Sequence, residues 1–365
     1  MSYTVIDVLQ VVKNARKGMH DDTYDLLCAA IKQSPYGKLK RKKKPHKKFT
    51  YDRVHQVTFF GAQQNVQFSR SCLYGQYWSA ILTDRIGKGK RAKVKYGIPY
   101  TFHGGKLIFG KTKRAIKAIQ DENNYRPIEV EAGHKMDANY YGDVIKTKNG
   151  KVYINMLLAE CDLFQQVVKN YGNWQGTHSS LVDRVKVLLQ IVQDLRFLHR
   201  LGYIHRDLKL ENVLCFPGGK YKLTDFEFVK KIGCKKDDLD KGGCGTLMYI
   251  APEIVKGIKS KQGVQSTVFS DIFALGIIGA ELVCKGKLKG QWGQPVYNNN
   301  TQTGRKEINS IIDAKNPHAK KKYIVLIRKM TGSKPKKRPS LKKTEEKLEN
   351  IIKLECSNSC KVKIK

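Results

Sequence analysis

The stretch HRDLKLEN, residues 205–212, decides how this chain is read. It follows a segment in which Leu188, Ile191, Val192, Leu195 and Leu198 recur at steps of three and four. That spacing puts five apolar side chains on one face of an amphipathic helix, and Gly202 supplies its stop. Thirteen residues past Asn212 comes the triplet Asp225-Phe226-Glu227, and then GTLMYIAPE, residues 245–253. Short apolar runs with turn signals occupy roughly 81–160, and longer helical periodicities fill roughly 180–355. A small strand-rich part therefore precedes a larger helical one.

The ordered set resembles the eukaryotic-type serine/threonine protein kinase family, in a divergent form with odd motifs similar to those of viral members. The resemblance covers residues 81–355. It implies a bilobal α+β fold, with a small antiparallel β-sheet lobe ahead of a larger helical lobe. It also implies transfer of the γ-phosphate of ATP to Ser or Thr of a protein substrate, with Mg²⁺, or Mn²⁺ in its place. Phosphoryl transfer asks the protein for positioned metal ions, a clamp on the phosphates and an oriented hydroxyl. By resemblance Asp207 accepts the hydroxyl proton, Lys209 contacts the transferring phosphate, and Asn212 and Asp225 hold the metal. Hard oxygen donors suit Mg²⁺. Asp271, in SDIFALG, matches the aspartate that braces the HRD backbone, and Glu253 with Arg338 matches a buried ion pair.

Upstream, IGKGKRAKV at 86–94 fits the family's glycine-rich loop, with Ile86, Gly87, Gly89 and Val94 in place and Ala92 where a third glycine is usual. AIK at 115–117 then makes Lys117 the lysine on the α- and β-phosphates, beside Ala115 against the base. The 23-residue interval from Val94 to Lys117 is long for the family, and GIPYTFHGGKLIFG within it reads as a hairpin turning at Gly104-Gly105. The partner glutamate of Lys117 is Glu129 or Glu131. Residues two apart on a helix face different ways, and the alignment of the following strands favours Glu129. The same alignment puts Met156 at the gatekeeper, Leu157 to Cys161 (with Ala159) at the hinge, Asp162 at the ribose and Leu214 under the base.

Two departures matter. Glu227 replaces a glycine, which costs about 1–2 kcal/mol if that residue is left-handed, and adds a carboxylate near the metals. Between Phe226 and Gly245 there is no Ser, Thr or Tyr. Asp237, Asp238 and Asp240 are then the anions expected to face Arg206 in place of a phosphate, and constitutive activity follows. Leu247 and Met248 read as an apolar slot beside the acceptor. Thr246 is the family's structural threonine.

The rest bounds the company the protein keeps. Of 365 residues, 69 are Lys or Arg and 32 Asp or Glu, a net +37. Residues 1–80 carry 14 Lys/Arg against 5 Asp, or +9, so +28 lies on residues 81–365. Such a field calls for an anionic partner, acidic protein or nucleic acid. A catalytically weak kinase-fold scaffold binding such a partner is the alternative reading. Residues 1–37 read as a helical segment and 38–48 (KLKRKKKPHKK) as a basic linker, nuclear import signal or anion tether. Residues 49–80 form an extension packing on the kinase, and 356–365 a basic tail. No apolar run reaches the roughly 18 residues of a spanning helix, and no secretory leader is evident. Nine scattered Cys without a CxxC pair read as free thiols. The expected setting is intracellular, cytoplasm or nucleus.

Overall fold

The computed structural model of the chain describes residues 51–59, 62–69, 72–74, 79–89, 91–103, 106–109, 112–138, 141–146, 150–170, 172–178, 180–234, 249–260, 265–283 and 317–361. The expected helix over 1–37 and linker over 38–48 lie outside these residues. So do Asp237, Asp238, Asp240, Thr246, Leu247 and Met248.

The chain divides into two units. The first, running to Tyr125 and resuming at Ala138–Leu158, holds nine strands among its described residues: β1 (Tyr51–Phe59), β2 (Ala62–Ser69), β3 (Cys72–Tyr74), β4 (Ser79–Lys88), β5 (Ala92–His103), β6 (Lys106–Phe109), β7 (Arg114–Ile119), β8 (Tyr141–Lys146) and β9 (Val152–Leu157). β1 and β2 form their own antiparallel hairpin. The other seven make one sheet in the order β3-β4-β5-β7-β9-β8, with β6 added on β5. β9 buries alternate residues, Val152, Ile154 and Met156, as a pleat demands. Leu82, Ile116 and Ile145 form an apolar cluster with Tyr153 against it. Gly97 is required where it stands: a Cβ there would come 2.6 Å from Ile116 Cγ1.

The long interval before Lys117 resolves as strand length. Val94 and Lys117 are direct cross-strand partners. The extra residues prolong β5 to His103 and return as β6, with His103 opposite Lys106. Residues 49–80 are not all an appendage, since β3 pairs with β4 and so belongs to the sheet.

The second unit, Arg126–Asp137 and Ala159 onward, is mainly helical. Its helices are α1 (Pro127–Met136), α2 (Leu163–Val167), α3 (Trp174–Thr177), α4 (Leu181–Arg200), α5 (Pro252–Lys259), α6 (Val268–Val283), α7 (Pro317–Met330) and α8 (Leu341–Lys361). Five short strands, β10 (Cys161–Asp162), β11 (Tyr203–Ile204), β12 (Val213–Phe216), β13 (Lys220–Leu223) and β14 (Lys230–Lys231), pair as β10-β12-β13 and β11-β14. α4 starts on a capping box, in which Ser180 Oγ accepts from Asp183 N while the Asp183 carboxylate accepts from Ser180 N. It buries Leu188, Ile191, Val192, Leu195 and Leu198 and closes at Gly202, whose φ is +85°. α6 is buried at every residue from Asp271 to Val283. The end of α7 lies so close to it that a Cβ at Gly276 would meet Met330 Cβ at 2.9 Å. α8 runs unbroken through Cys356 to Lys361, so the expected boundary at 355 falls inside a helix. Cys161 and Cys215, 54 residues apart, are Cα partners across β10 and β12, both buried and unbridged.

Candidate active site

The decisive loop begins where α4 ends. Gly202 turns the chain into β11, which pairs with β14, while β12 and β13 form the next hairpin. These two short ladders hold residues 205–212 beside residues 224–226. Thr224 N donates to Asn212 O (3.0 Å), and the His205 ring lies 3.0 Å from Thr224 O.

Within the loop, Lys209 Nζ donates to Asp207 Oδ2 at 2.8 Å. Asn212 Nδ2 donates to Asp207 O at 2.8 Å and to Oδ2 at 3.0 Å. Asp207 is 4% exposed. A carboxylate so enclosed stays useful because both contacts stabilise its charge and fix its direction. Beneath it, Asp271 of α6 accepts from His205 N (2.8 Å) and Arg206 N (2.9 Å), and its Oδ2 lies 2.8 Å from His199 Nε2. Burial works against ionisation of Asp271. The His199 hydrogen bond and the positive surroundings of His199, His205 and the Arg206 amide prevail, holding its carboxyl below the ordinary range.

Arg206 and Asp225 are both left-handed, at φ +72° and +59°. Each such non-glycine residue costs about 1–2 kcal/mol, and such strain gathers at functional sites. The left-handed position of the Asp-Phe-Glu triplet is therefore Asp225, a residue type that tolerates it. Glu227, expected to bear that cost, lies in a 3₁₀ turn over Phe226–Phe228 and has no positive φ. Phe226 is fully buried, its ring 5.5 Å from that of His205, and α1 packs on this turn.

α1 separates its two candidate glutamates. Glu129 is 1% exposed. Glu131 faces outward, accepting from Tyr203 Oη (2.7 Å) and Lys135 Nζ (3.0 Å), with Lys231 Nζ at 3.3 Å. The Tyr203 hydrogen bond and the two lysines pull its pKa down to about 2. Lys117, in the first unit, is buried in β7.

The other residues expected at the nucleotide fall into two groups. In the first unit, Gly87 pairs with Val94, Ala115 with Met156, and Lys117 with both Val94 and Ile154. Gly89 N donates to Ala92 O (2.8 Å), closing the turn after Gly87, and Ile86 is exposed. Neither glycine has a positive φ, and a Cβ would fit at both. Leu157 ends β9. In the second unit, Ala159 is half-buried and Asp162 pairs with Leu214 across β10 and β12. Asp162 Oδ1 also caps α2 by accepting from Gln165 N (2.7 Å), and burial raises its pKa despite that bond.

A divalent cation suits the donors present. The Asn212 amide nitrogen is committed to Asp207, which leaves Oδ1 as its donor, and Asp225 adds a carboxylate. Two hard oxygens are what Mg²⁺ takes from a protein when phosphates and water complete its octahedron. No group of three or more His, Cys, Asp or Glu with metal-site geometry occurs among the described residues.

Residues 81–348 match the protein kinase domain. The chain belongs to the protein kinase family. Among curated relatives, the kinase is 32% identical over 213 residues to mouse (Mus musculus) testis-specific serine/threonine-protein kinase 1, covering 56% of this chain and 54% of that one. It is 33% identical over 153 residues to mouse testis-specific serine/threonine-protein kinase 3, covering 41% and 52%. To the human (Homo sapiens) SNF-related serine/threonine-protein kinase it is 31% identical over 287 residues, covering 72% and 32%. The chain spans about half the length of the testis-specific relatives, and about a third of the SNF-related one.

Several positioning groups of this kinase carry no motif. His199 on Asp271 is one. Asp194 of α4, which accepts from Leu223 N (3.0 Å) and so anchors β13, is another. Tyr249 Oη donates to Glu281 (2.6 Å), with burial pushing the phenol pKa up. Tyr249 also lines a shallow concavity with Asp207, Ile254 and Ser270. Only the folded chain brings such pairs together. Glu253 and Arg338 do meet, in a bidentate pair with both N–O distances at 2.7 Å.

Proposed function

We propose that this kinase transfers the γ-phosphate of ATP to serine or threonine hydroxyls of protein substrates, with Mg²⁺ or Mn²⁺, and that it does so without a phosphorylation switch. The observation that carries the reading is Asp207, gripped by Lys209 and Asn212 above a backbone that Asp271 holds. The substrate hydroxyl oxygen attacks the γ-phosphorus as the bond to the β-γ bridging oxygen breaks, and ADP leaves with that electron pair. The proton goes to the Asp207 carboxylate. Lys209, which donates to Asp207, is the cation that turns to the phosphoryl oxygens as charge spreads onto them. Lys117 and the turn at Gly87 and Gly89 serve the phosphates, and Met156, Ala115, Val94 and Leu214 the base. When bound, the metal neutralises phosphate charge; Asn212 and Asp225 are the groups that would hold it.

Constitutive activity rests on the sequence, which offers no hydroxyl to phosphorylate between Phe226 and Gly245. The +37 charge favours anionic partners, and the basic run at 38–48 fits work inside the cell, in cytoplasm or nucleus.

Metal-dependent release of ADP, and labelled phosphate on a Ser/Thr peptide, test the reading. Asp207→Asn should lower kcat by a factor of at least about 10², the lower range of general-base catalysis. It should leave the thermal midpoint within about 2 °C. Turnover indifferent to that substitution would overturn the assignment, and absence of turnover in the parent chain would leave the scaffold reading.

A further inference from the structure

From Pro317 to Thr344 the chain carries eleven Lys/Arg and no Asp or Glu. This stretch is α7, the turn after it and the first turn of α8. α7 buries Tyr323, Ile324, Leu326 and Ile327 and turns Lys321, Lys322, Arg328 and Lys329 to solvent. Lys336, Lys337, Lys342 and Lys343 are exposed as well. Elsewhere several lysines sit on carboxylates, Lys135 on Glu131, Lys146 on Glu122 and Lys222 on Asp137, while exposed ones without such a partner, such as Lys186, Lys220 and Lys256, are scattered along the sequence. Here, among the described residues, Lys321, Lys322, Lys336, Lys337, Lys342 and Lys343 have no carboxylate within ion-pair distance.

Crowding like charges costs free energy, and the fold holds these in place. Arg338, the one fully buried cation of the set, donates to Glu253 through both Nη atoms, to Phe269 O (2.8 Å) and to Gly332 O (2.9 Å), and its guanidinium lies 5.0 Å from the centre of the Phe273 ring. The turn that bears Lys334, Lys336 and Lys337 is thereby fixed before any partner arrives, which lowers the entropy lost on binding. From Lys321 to Lys329 is about 12 Å of helix.

The chemistry of the surface narrows the partner. Val325 is the only exposed large apolar side chain of this stretch, and the aromatic Tyr323 is buried. The stretch exposes no apolar wedge larger than Val325 to insert into lipid and no Phe, Tyr or Trp on which bases could stack. Point charges on long stems, dense and unneutralised, match a polyanion of high linear charge density. Duplex nucleic acid carries one charge per about 1.7 Å of axis, against at best one per about 3.3 Å along an acidic peptide.

We propose that the α7–α8 face is a docking site for the phosphate backbone of double-stranded nucleic acid, without base readout. It narrows the anionic-partner reading above and is independent of phosphotransfer.

The test uses the full chain and a fluorescently labelled 20-bp DNA duplex, titrated by anisotropy from 50 to 200 mM NaCl. The slope of log K against log salt should fall by about 3–4 in Lys321→Gln/Lys322→Gln/Lys336→Gln/Lys337→Gln, about 0.9 for each phosphate that the variant no longer neutralises. Lys42→Gln/Lys43→Gln/Lys44→Gln/Lys47→Gln removes the same charge from the basic run and should leave the slope within about 1. Equal reductions in both variants would mean diffuse attraction and would sink the site while leaving an anionic partner. Tighter binding of poly-glutamate, or of phosphatidylserine vesicles, than of duplex at equal salt would assign the face to acidic protein or membrane. No binding of any polyanion would end both readings. Should the first variant not fold, hydrogen exchange of the parent chain with and without duplex decides: protection must appear within residues 317–343.

Discussion

Two glutamates two positions apart on α1 meet opposite fates, and the difference is one of burial. Glu129 is enclosed, while Glu131, 40% exposed, accepts from Tyr203 and Lys135 beside Lys231. The lowered pKa of Glu131 makes a stability prediction with a definite sign. Its folded value is about 2 against an ordinary 4.5, so the folded state binds fewer protons between these values. The contribution is complete above about pH 4.5 and disappears as pH falls through 2. Urea midpoints of the parent and of Glu131→Gln should differ most at pH 5–7 and converge near pH 2, with a smaller gap at 1 M salt because the group is exposed. A gap unchanged from pH 6 to pH 2 would contradict this. In the sequence, the alignment of the following strands is what favours Glu129. Nothing in a ten-residue helix interrupted by Gly133 distinguishes the two faces by pattern alone, and tertiary packing does.

Elements show where sequence pattern is sufficient and where it stops. α4 was legible because five apolar residues at helical spacing, a Ser/Asp cap and Gly202 all agree. The HRD loop was legible because its motif is short and matches the family's: Asp207, Lys209 and Asn212 lie within six residues, although Asp271 and Thr224, which hold the loop, come from far along the chain. β-pairing is not local. That β3 extends the sheet, that Val94 stands opposite Lys117 across 23 residues, and that Cys161 stands opposite Cys215 depend on registers no short-range pattern encodes. The Glu253–Arg338 pair lies between these cases, expected from family resemblance and met in the fold, where it ties the first turn of α5 to α6 and to the chain entering α8. The Arg338 side chain has no exposure and that of Glu253 21%. Breaking a buried pair typically costs about 3–5 kcal/mol because the survivor is stranded, and the partial exposure of Glu253 puts this one near 3. Arg338→Met and Glu253→Gln should each lower stability by about that much in urea titrations with an unchanged m-value, and the double variant should lose less than the sum. Additive losses would mean the two side chains act separately.

At the scale of the whole molecule the governing quantity is charge. With +28 on residues 81–365, the field around the kinase extends beyond any one side chain's reach, and its range is set by salt: about 30 Å at 0.01 M and 8 Å at 0.15 M. Long-range attraction acts on encounter, while local groups such as the exposed Glu211, within the HRD loop, act on register. These can be separated kinetically. For a Ser/Thr peptide with acidic flanks, kcat/KM should fall about tenfold or more between 20 and 200 mM NaCl, with kcat nearly constant, because salt screens the approach and not the chemical step. A peptide with neutral flanks should change less than about twofold over the same range, and Glu211→Gln should leave the salt dependence of both untouched. If kcat itself carried the salt effect, or if the two peptides responded alike, the basic field would have no part in selecting substrates, and the charge of this protein would have to serve docking alone.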